Sequence, residues 1–124
     1  MKNYISFCRN YHKLGDEGFT TIRGASAIKE YHEGQIVDIL KTDVYPSGGK
    51  GELLCRAIIV DMEVLPLIDI PLDVLQRDGA FGKWKPGSHA EFMGLINSMR
   101  KYGKMDSVRN KVTLIKLIKT DGGN

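Results

Sequence analysis

The sequence predicts an α+β protein in which mixed or antiparallel strands curl into a small β-barrel with two or three peripheral helices. Short β-branched and aromatic runs, separated by Gly, Asp and Pro, fill the first half of the chain, and the clearest helical patterns come late. Most connections between the predicted strands are too short for a crossover helix. With 124 residues the chain has the length of one domain, and we expect residues 1–124 to form it.

Five segments have the composition of β-strands, with aliphatic, β-branched and aromatic residues between turn residues. They are residues 4–7, 19–23, 35–40, 53–64 and 112–118. Residues 41–52 contain one proline and three glycines, which predicts an exposed hairpin loop between the third and fourth strands. Residues 24–31 have room for one helical turn.

Two helices are predicted in the second half of the chain. The first covers residues 72–77, because the proline before it has a backbone suited to the start of a helix. The second covers residues 88–102, where Ser88 and Glu91 have the spacing of a capping box. Gly103 stands where a left-handed residue ends a helix. The apolar residues of this segment recur at a spacing that buries one helix face against a sheet.

Charged side chains are unevenly distributed along the chain. Residues 1–78 hold nine Lys and Arg against twelve Asp and Glu, whereas residues 79–124 hold nine against three. This asymmetry indicates an anionic partner, although a solvated surface with chance clustering gives the same count.

The composition argues against several classes of protein. Two cysteines, Cys8 and Cys55, cannot make a disulfide framework, and we expect both to be core thiols. Neither a secretory signal nor an apolar run of membrane-spanning length is evident, which predicts a cytoplasmic protein without a membrane partner. The cysteines and the three histidines lack the spacing of a ligand set, so no metal or cofactor is expected.

The segment at residues 19–24 places two hydroxyl groups and a guanidinium on one short strand. Strand alternation directs Thr21 and Arg23 to the same side. There Arg23 offers a planar fork of donors to a phosphate or a base edge, and Thr21 offers a hydroxyl beside it. The alternative is an ion pair of that arginine with one of the acidic residues Asp16, Glu17 and Asp78.

Five short segments along the chain carry a resemblance to a known family. Thr-Thr-Ile-Arg at residues 20–23 follows an early strand, and Glu-Gly-Gln-Ile-Val at residues 33–37 opens the next one. Asp-Gly-Ala-Phe at residues 78–81 precedes Glu-Phe at residues 91–92 and the last predicted strand at residues 112–117. In this order and spacing the segments resemble the ASCH domain family, which belongs to the PUA-like β-barrel superfamily.

The resemblance implies a curved sheet or barrel with a cleft that binds a ligand. Members of the family are associated with RNA binding, so the expected partner is RNA or a nucleotide-like ligand. The cleft residues that the resemblance implies are Thr20, Thr21, Arg23 and Asp78.

Some small bacterial relatives of the family hydrolyse acetylated cytidine with a lysine, a threonine and a glutamate. The threonine matches Thr21, and the family's acidic position matches Asp78. The lysine expected five positions before the arginine falls on Gly18, so the family's catalytic base is missing at that place. Lys13 and Lys29 are the nearest substitutes along the chain.

A loop bounded by glycine and proline sets the single tryptophan, Trp84, between Lys83 and Lys85. Such a loop is suited to stacking on a base while the lysines contact phosphates. The equally weighted alternative is that Trp84 closes the open end of the barrel and the lysines keep that end solvated.

Three functional hypotheses follow from these residues. The first is an RNA- or nucleotide-binding domain, whose basic cleft combines the Thr-Thr-Ile-Arg strand, Asp78 and the tryptophan loop. The second is a small hydrolase of a modified nucleoside or of RNA. Its general base would be Asp78 or Glu91, and its charged partner would be Lys29 or Lys13. The third is a protein-interaction module, marked by a broad apolar patch at the rim of the barrel.

Overall fold

The computed structural model describes residues 2–42, 51–100 and 103–120. Within these ranges the chain forms five strands, two α-helices and three short 3₁₀ turns. The strands are β1 (Tyr4–Phe7), β2 (Gly18–Gly24), β3 (Ile36–Lys41), β4 (Glu52–Pro66) and β5 (Lys111–Lys119). The helices are α1 (Leu72–Gly79) and α2 (His89–Met99), and the 3₁₀ turns are His12–Gly15, Ala25–Lys29 and Leu67–Asp69.

The five strands form one mixed sheet in the order β1-β3-β4-β5-β2. Strand β1 runs parallel to β3, and the other neighbours are antiparallel. The register shifts between Ile39 and Leu40 and again between Ile59 and Asp61, and such bulges bend and twist a strand. Because β4 pairs with β3 along its first half and with β5 along its second, the sheet curls into a half-barrel. The predicted α+β class and mixed sheet are therefore confirmed.

Apolar side chains pack on both faces of the sheet. One cluster includes Ile115 and Leu117 of β5 together with buried residues of the four other strands. The second cluster includes Val112 and Leu114 of β5 together with both α-helices. Strand β5, which lies between β4 and β2, thus buries side chains on both faces over residues 112–115, and this fits its mostly apolar composition.

The predicted strands are all present, and each lies within two residues of its predicted bounds. The helical turn expected at residues 24–31 is the 3₁₀ turn Ala25–Lys29, and the helix expected at residues 72–77 is α1. Most of the predicted hairpin loop, residues 43–50, lies outside the described residues. The first 3₁₀ turn, His12–Gly15, follows no pattern in the sequence.

Helix α2 begins as predicted but ends three residues early. Ser88 is its N-cap and accepts a hydrogen bond from the backbone N–H of Glu91. At the other end the side-chain amide of Asn97 donates to the carbonyl of Met105 and accepts from its N–H, both at 2.8 Å. Arg100 already has an extended backbone, and its N–H donates to the carbonyl of Asn97. The helix therefore stops at Met99, whereas Tyr102 lies outside the described residues.

Two features are absent from the described part of the chain. No helix there has the length and apolar character needed to cross a membrane. The same residues contain no group of three or more His, Cys, Asp and Glu side chains placed to hold a metal ion.

Candidate functional site

A cavity of about 680 Å³ is lined by the two edge strands of the sheet, β1 and β2, and by the two α-helices. Its walls come from Phe7 of β1, Thr21 and Arg23 of β2, Asp78 of α1 and Met99 of α2. We call it the main cavity. Its volume lies within the range of small-molecule binding sites, and its lining mixes apolar side chains with a few charged groups, as such sites do.

A buried ion pair forms one wall of the main cavity. The ammonium group of Lys13, on the 3₁₀ turn His12–Gly15, donates to Asp78 Oδ1 at 3.0 Å. Asp78 Oδ2 accepts a hydrogen bond of 2.6 Å from the hydroxyl of Thr20. Asp78 stands at the C-terminal end of α1, where the helix dipole disfavours a carboxylate, so the lysine also offsets that unfavourable field.

The surroundings of Lys13 disfavour its charged form. Burial lowers the pKa of this lysine, and the charge of Asp78 opposes the shift. The rings of Phe7 and Tyr11 lie 4.9 and 5.1 Å from the ammonium nitrogen and contribute cation–π contacts. Among the described residues Asp78 is the sole hydrogen-bond acceptor for the ammonium, which has three donors.

The guanidinium of Arg23 is fixed against the other wall of the same cavity. Its Nε donates to the hydroxyl oxygen of Thr21 at 3.0 Å, which confirms that alternation places the two side chains on one side of β2. Its Nη2 donates to the carbonyl of Ser6 at 3.0 Å, and its Cζ lies 5.0 Å from the centre of the Phe7 ring. Burial lowers the pKa of Arg23. No carboxylate of the described residues forms an ion pair with it, so the alternative pairing with an acidic neighbour is wrong.

An aromatic and sulfur-containing wall completes the main cavity. The hydroxyl of Tyr11 donates to the sulfur of Met99 at 3.3 Å, and the thiol of Cys8 lies 3.5 Å from the same sulfur. Burial raises the pKa of Tyr11 to about 12. These contacts pack the end of α2 against the segment between β1 and β2.

The tryptophan loop does not line the main cavity. The Trp84 ring lies 5.4 Å from the ring of Phe81, which in turn meets Tyr11 edge-on at 5.8 Å. Lys83 and Lys85 are exposed and line no described cavity. The loop is separated from the cavity by one aromatic layer, because Phe81 fills the space behind Tyr11.

Two other residues considered for catalysis also lie elsewhere. Lys29 ends the 3₁₀ turn Ala25–Lys29, is exposed, and lines neither described cavity. Glu91 is exposed as well, and its carboxylate accepts a hydrogen bond from the backbone N–H of Gly87 at 2.9 Å. Glu91 therefore completes the cap of α2.

Sequence reasoning did not place two groups at the site. Lys13 was one of the two lysines considered as the charged partner of a general base, and the structure pairs it, and not Lys29, with Asp78. No spacing rule predicts that its 3₁₀ turn packs against α1. Arg100, which follows the last residue of α2, lines the main cavity as well. The lysines and arginines of this cavity number four, Lys2, Lys13, Arg23 and Arg100, and its lining has one carboxylate, Asp78.

A second cavity, of about 650 Å³, lies on the other side of β2. Its walls are largely apolar, and its lining also includes Glu63, Asp69 and Arg77. Lys13 and Asp78 border both cavities, so the ion pair is part of the partition between them.

Comparison with known proteins relates the chain to an archaeal protein. It is 35% identical over 115 residues to the uncharacterized protein MJ0364 of Methanocaldococcus jannaschii. The chain belongs to the family of that protein. The similarity covers 92% of this chain and 90% of the relative, so the family extends over nearly the whole fold. No protein-family model and no solved structure matches the chain.

In this member of the family the main cavity combines three chemical capacities. The guanidinium of Arg23 can bind an anion, the hydroxyl of Thr21 can accept or donate a hydrogen bond, and the Lys13–Asp78 pair can exchange a proton. The apolar side chains around them lower the local dielectric, which strengthens each of these interactions.

Proposed function

We propose that the chain is an ASCH domain of the PUA-like superfamily that binds RNA or a nucleotide-like ligand in the main cavity. The observation that carries the proposal is the guanidinium of Arg23, which lines this cavity without a carboxylate partner among the described residues. The half-barrel sheet and the common position of Thr21, Arg23 and Asp78 on one cavity support the same proposal.

A ligand anion would supply the charge that Arg23 lacks. A partly buried cation without a counter-ion is unfavourable. The hydrogen bonds of the Arg23 guanidinium to Thr21 and Ser6 fix its orientation before a ligand binds. Guanidinium forks match the geometry of phosphate oxygens, whereas Thr21 and Asp78 have the polar atoms to select a base or sugar.

The dimensions of the site favour a single nucleotide unit over a long stacked strand. The main cavity has about 680 Å³, and the exposed lysines of the tryptophan loop do not face it. If RNA is the ligand, one nucleotide enters the cavity and the rest of the strand stays outside.

The test is a calorimetric titration with nucleotides and with short single-stranded RNA at low and moderate salt. The variant Arg23→Gln removes the guanidinium, and Arg109→Gln makes the same charge change at an exposed residue that lines neither described cavity. We expect binding to weaken with salt, to be lost in the first variant and to be retained in the second. Chemical unfolding of both variants checks that each is folded, and equal affinities of the two variants would contradict the proposal.

A second candidate function, hydrolysis of a modified nucleoside such as acetylated cytidine, is supported by the Lys13–Asp78 pair. The two groups lie 3.0 Å apart at the wall of the main cavity, although Gly18 occupies the position where the family has its lysine. In this mechanism Asp78 takes the proton of a water that adds to the acyl carbon. The carbon–nitrogen bond then breaks, and the leaving amine takes up a proton from the Lys13 ammonium.

This candidate is tested by incubating the protein with acetylated cytidine and separating the products. The variant Lys13→Met should abolish release of acetate and cytidine, whereas Lys29→Met, an exposed lysine away from the cavity, should not. Product release that is unchanged in Lys13→Met would exclude the mechanism through the Lys13–Asp78 pair. No release by the unaltered protein would leave binding as the function of the cavity.

A further inference from the structure

The cationic groups of the main cavity differ in whether a carboxylate already neutralises them. Lys13 is paired with Asp78 at 3.0 Å, and Lys2 is paired with Glu30 at 3.1 Å. Arg23 and Arg100 have no carboxylate partner among the described residues. The excess positive charge of the cavity therefore comes from two guanidinium groups.

Arg100 reaches the cavity from the helix side. It follows the last residue of α2, and its Nη1 donates to the carbonyl of Gly103 at 2.6 Å. Its Nη2 lies close to the end of β2, since a Cβ added to Gly24 would be 3.3 Å from this nitrogen. Gly24 follows Arg23 directly, so the second guanidinium stands over the end of the strand that carries the first.

We propose that Arg23 and Arg100 together clamp a phosphate group, so that the ligand of the main cavity is a phosphate-bearing nucleotide and not an uncharged nucleoside. This inference rests on the proposed function and deepens it by naming the group that the ligand must carry. Arg100 is a specificity-determining residue in this arrangement, because it distinguishes ligands with a phosphate from ligands without one.

The arrangement fits a phosphate-bearing nucleotide better than an uncharged nucleoside for two reasons. Two guanidinium groups supply up to ten N–H donors. Three of these donate to acceptors of the described residues, two from Arg23 and one from Arg100. The neutralised Lys13–Asp78 pair adds little net charge, so it is left to contact the uncharged part of the ligand. In this arrangement the two arginines bind the phosphate, and the Lys13–Asp78 pair contacts the uncharged part of the ligand.

The test measures the affinities of a nucleoside, its 5′-monophosphate and inorganic phosphate by calorimetry. We expect the unaltered protein to bind the monophosphate about tenfold or more tightly than the nucleoside, as charge-assisted hydrogen bonds to a phosphate would give. In Arg100→Gln this preference should fall several-fold while the nucleoside affinity stays the same. Arg109→Gln, with the same charge change on an exposed arginine, should keep the preference.

A second variant displaces Arg100 without removing it. Gly24 has φ −60° and ψ 161°, which alanine adopts easily, but the new methyl group would stand 3.3 Å from the Arg100 nitrogen. We expect Gly24→Ala to fold normally and to lower the preference for the monophosphate. Gly15→Ala, where a Cβ meets nothing within 4 Å, is the matched control.

The outcomes separate the clamp from the proposed function. Equal affinities for nucleoside and monophosphate, or equal behaviour of Arg100→Gln and Arg109→Gln, overturn the clamp and leave nucleotide binding in place. Binding of inorganic phosphate that depends on Arg100, with no gain from the nucleoside part, supports the clamp and overturns the nucleotide function. If the unaltered protein binds none of the three ligands, both proposals are overturned.

Discussion

The ammonium group of Lys13 lies 3.0 Å from the carboxylate of Asp78, and the two side chains are 4% and 5% exposed. This contact joins the 3₁₀ turn before β2 to the C-terminal end of α1. Removing both charges from water is expensive, and their attraction at this distance offsets the loss only while both partners are present. Asp78 is also bound by Thr20, so one carboxylate links three elements of the chain.

Removing the charge of one partner should destabilise the fold more than removing the charges of both partners. Asp78→Asn leaves the Lys13 ammonium buried without a counter-ion, and we expect the free energy of unfolding to fall by about 3–5 kcal/mol. The double variant Lys13→Met with Asp78→Asn should lose less than the sum of the two single variants, because no lone charge remains. Urea unfolding measures all three free energies. Additive losses would show that the two groups do not interact.

The ionisation of Tyr11 should make the protein less stable at alkaline pH. Burial raises the pKa of Tyr11 from 10.0 to about 12 in the folded protein, so the unfolded chain loses this proton first. The stabilisation is complete below pH 10 and is lost as the pH rises toward 12. We expect the unaltered protein to lose more unfolding free energy than Tyr11→Phe between roughly pH 10 and pH 12.

The absorbance of tyrosinate checks the same assignment directly. A pH titration of the folded protein should show a late-ionising tyrosine that is absent from Tyr11→Phe. If both proteins have the same titration curve, the Tyr11 hydroxyl is not the shifted group.

The order of the elements could be predicted because each strand carries its own local signal. The hydrophobic runs and turn residues define five strands, and the Ser88–Glu91 spacing defines the start of α2. The side-chain alternation of β2 was enough to bring Thr21 and Arg23 together. These predictions use only residues that are close in sequence, so they do not depend on the tertiary packing of the chain.

The other half of the site depends on contacts between distant residues. Lys13 and Asp78 are 65 positions apart, and no periodicity links a 3₁₀ turn to the end of α1. The early end of α2 is likewise set by the two hydrogen bonds of Asn97 to Met105, and it is this ending that turns Arg100 toward the cavity. The position of Trp84 follows from its packing on Phe81, which composition does not reveal.

The cap of α2 should contribute to stability and not to ligand binding. Ser88→Ala removes the acceptor for the backbone N–H of Glu91, and we expect a loss of about 1 kcal/mol in unfolding free energy. Glu91→Gln keeps an acceptor for the N–H of Gly87 and should change stability less. Both variants should retain full affinity for nucleotides. A large loss of nucleotide affinity or of hydrolysis in folded Glu91→Gln would show that Glu91 contributes to the functional site.

The lysines of the tryptophan loop should affect the binding of RNA but not of a mononucleotide. Lys83 and Lys85 are exposed and lie outside the main cavity, so neither reaches a ligand enclosed there. We expect the double variant Lys83→Gln with Lys85→Gln to bind a nucleoside monophosphate with unchanged affinity. If a single strand leaves the cavity across this loop, the same variant should lower the salt dependence of RNA binding by about two phosphate contacts.

Titrations at three or more salt concentrations give that slope for the double variant and for the unaltered protein. A control with Lys29→Gln, an exposed lysine on the 3₁₀ turn Ala25–Lys29, accounts for the general loss of positive charge. A smaller slope in the double variant alone places the strand over the loop, because only phosphates near those lysines release their counter-ions there. Equal slopes in all three proteins would mean that RNA meets the domain only at the main cavity, and Trp84 would then serve the packing of Phe81 against Tyr11.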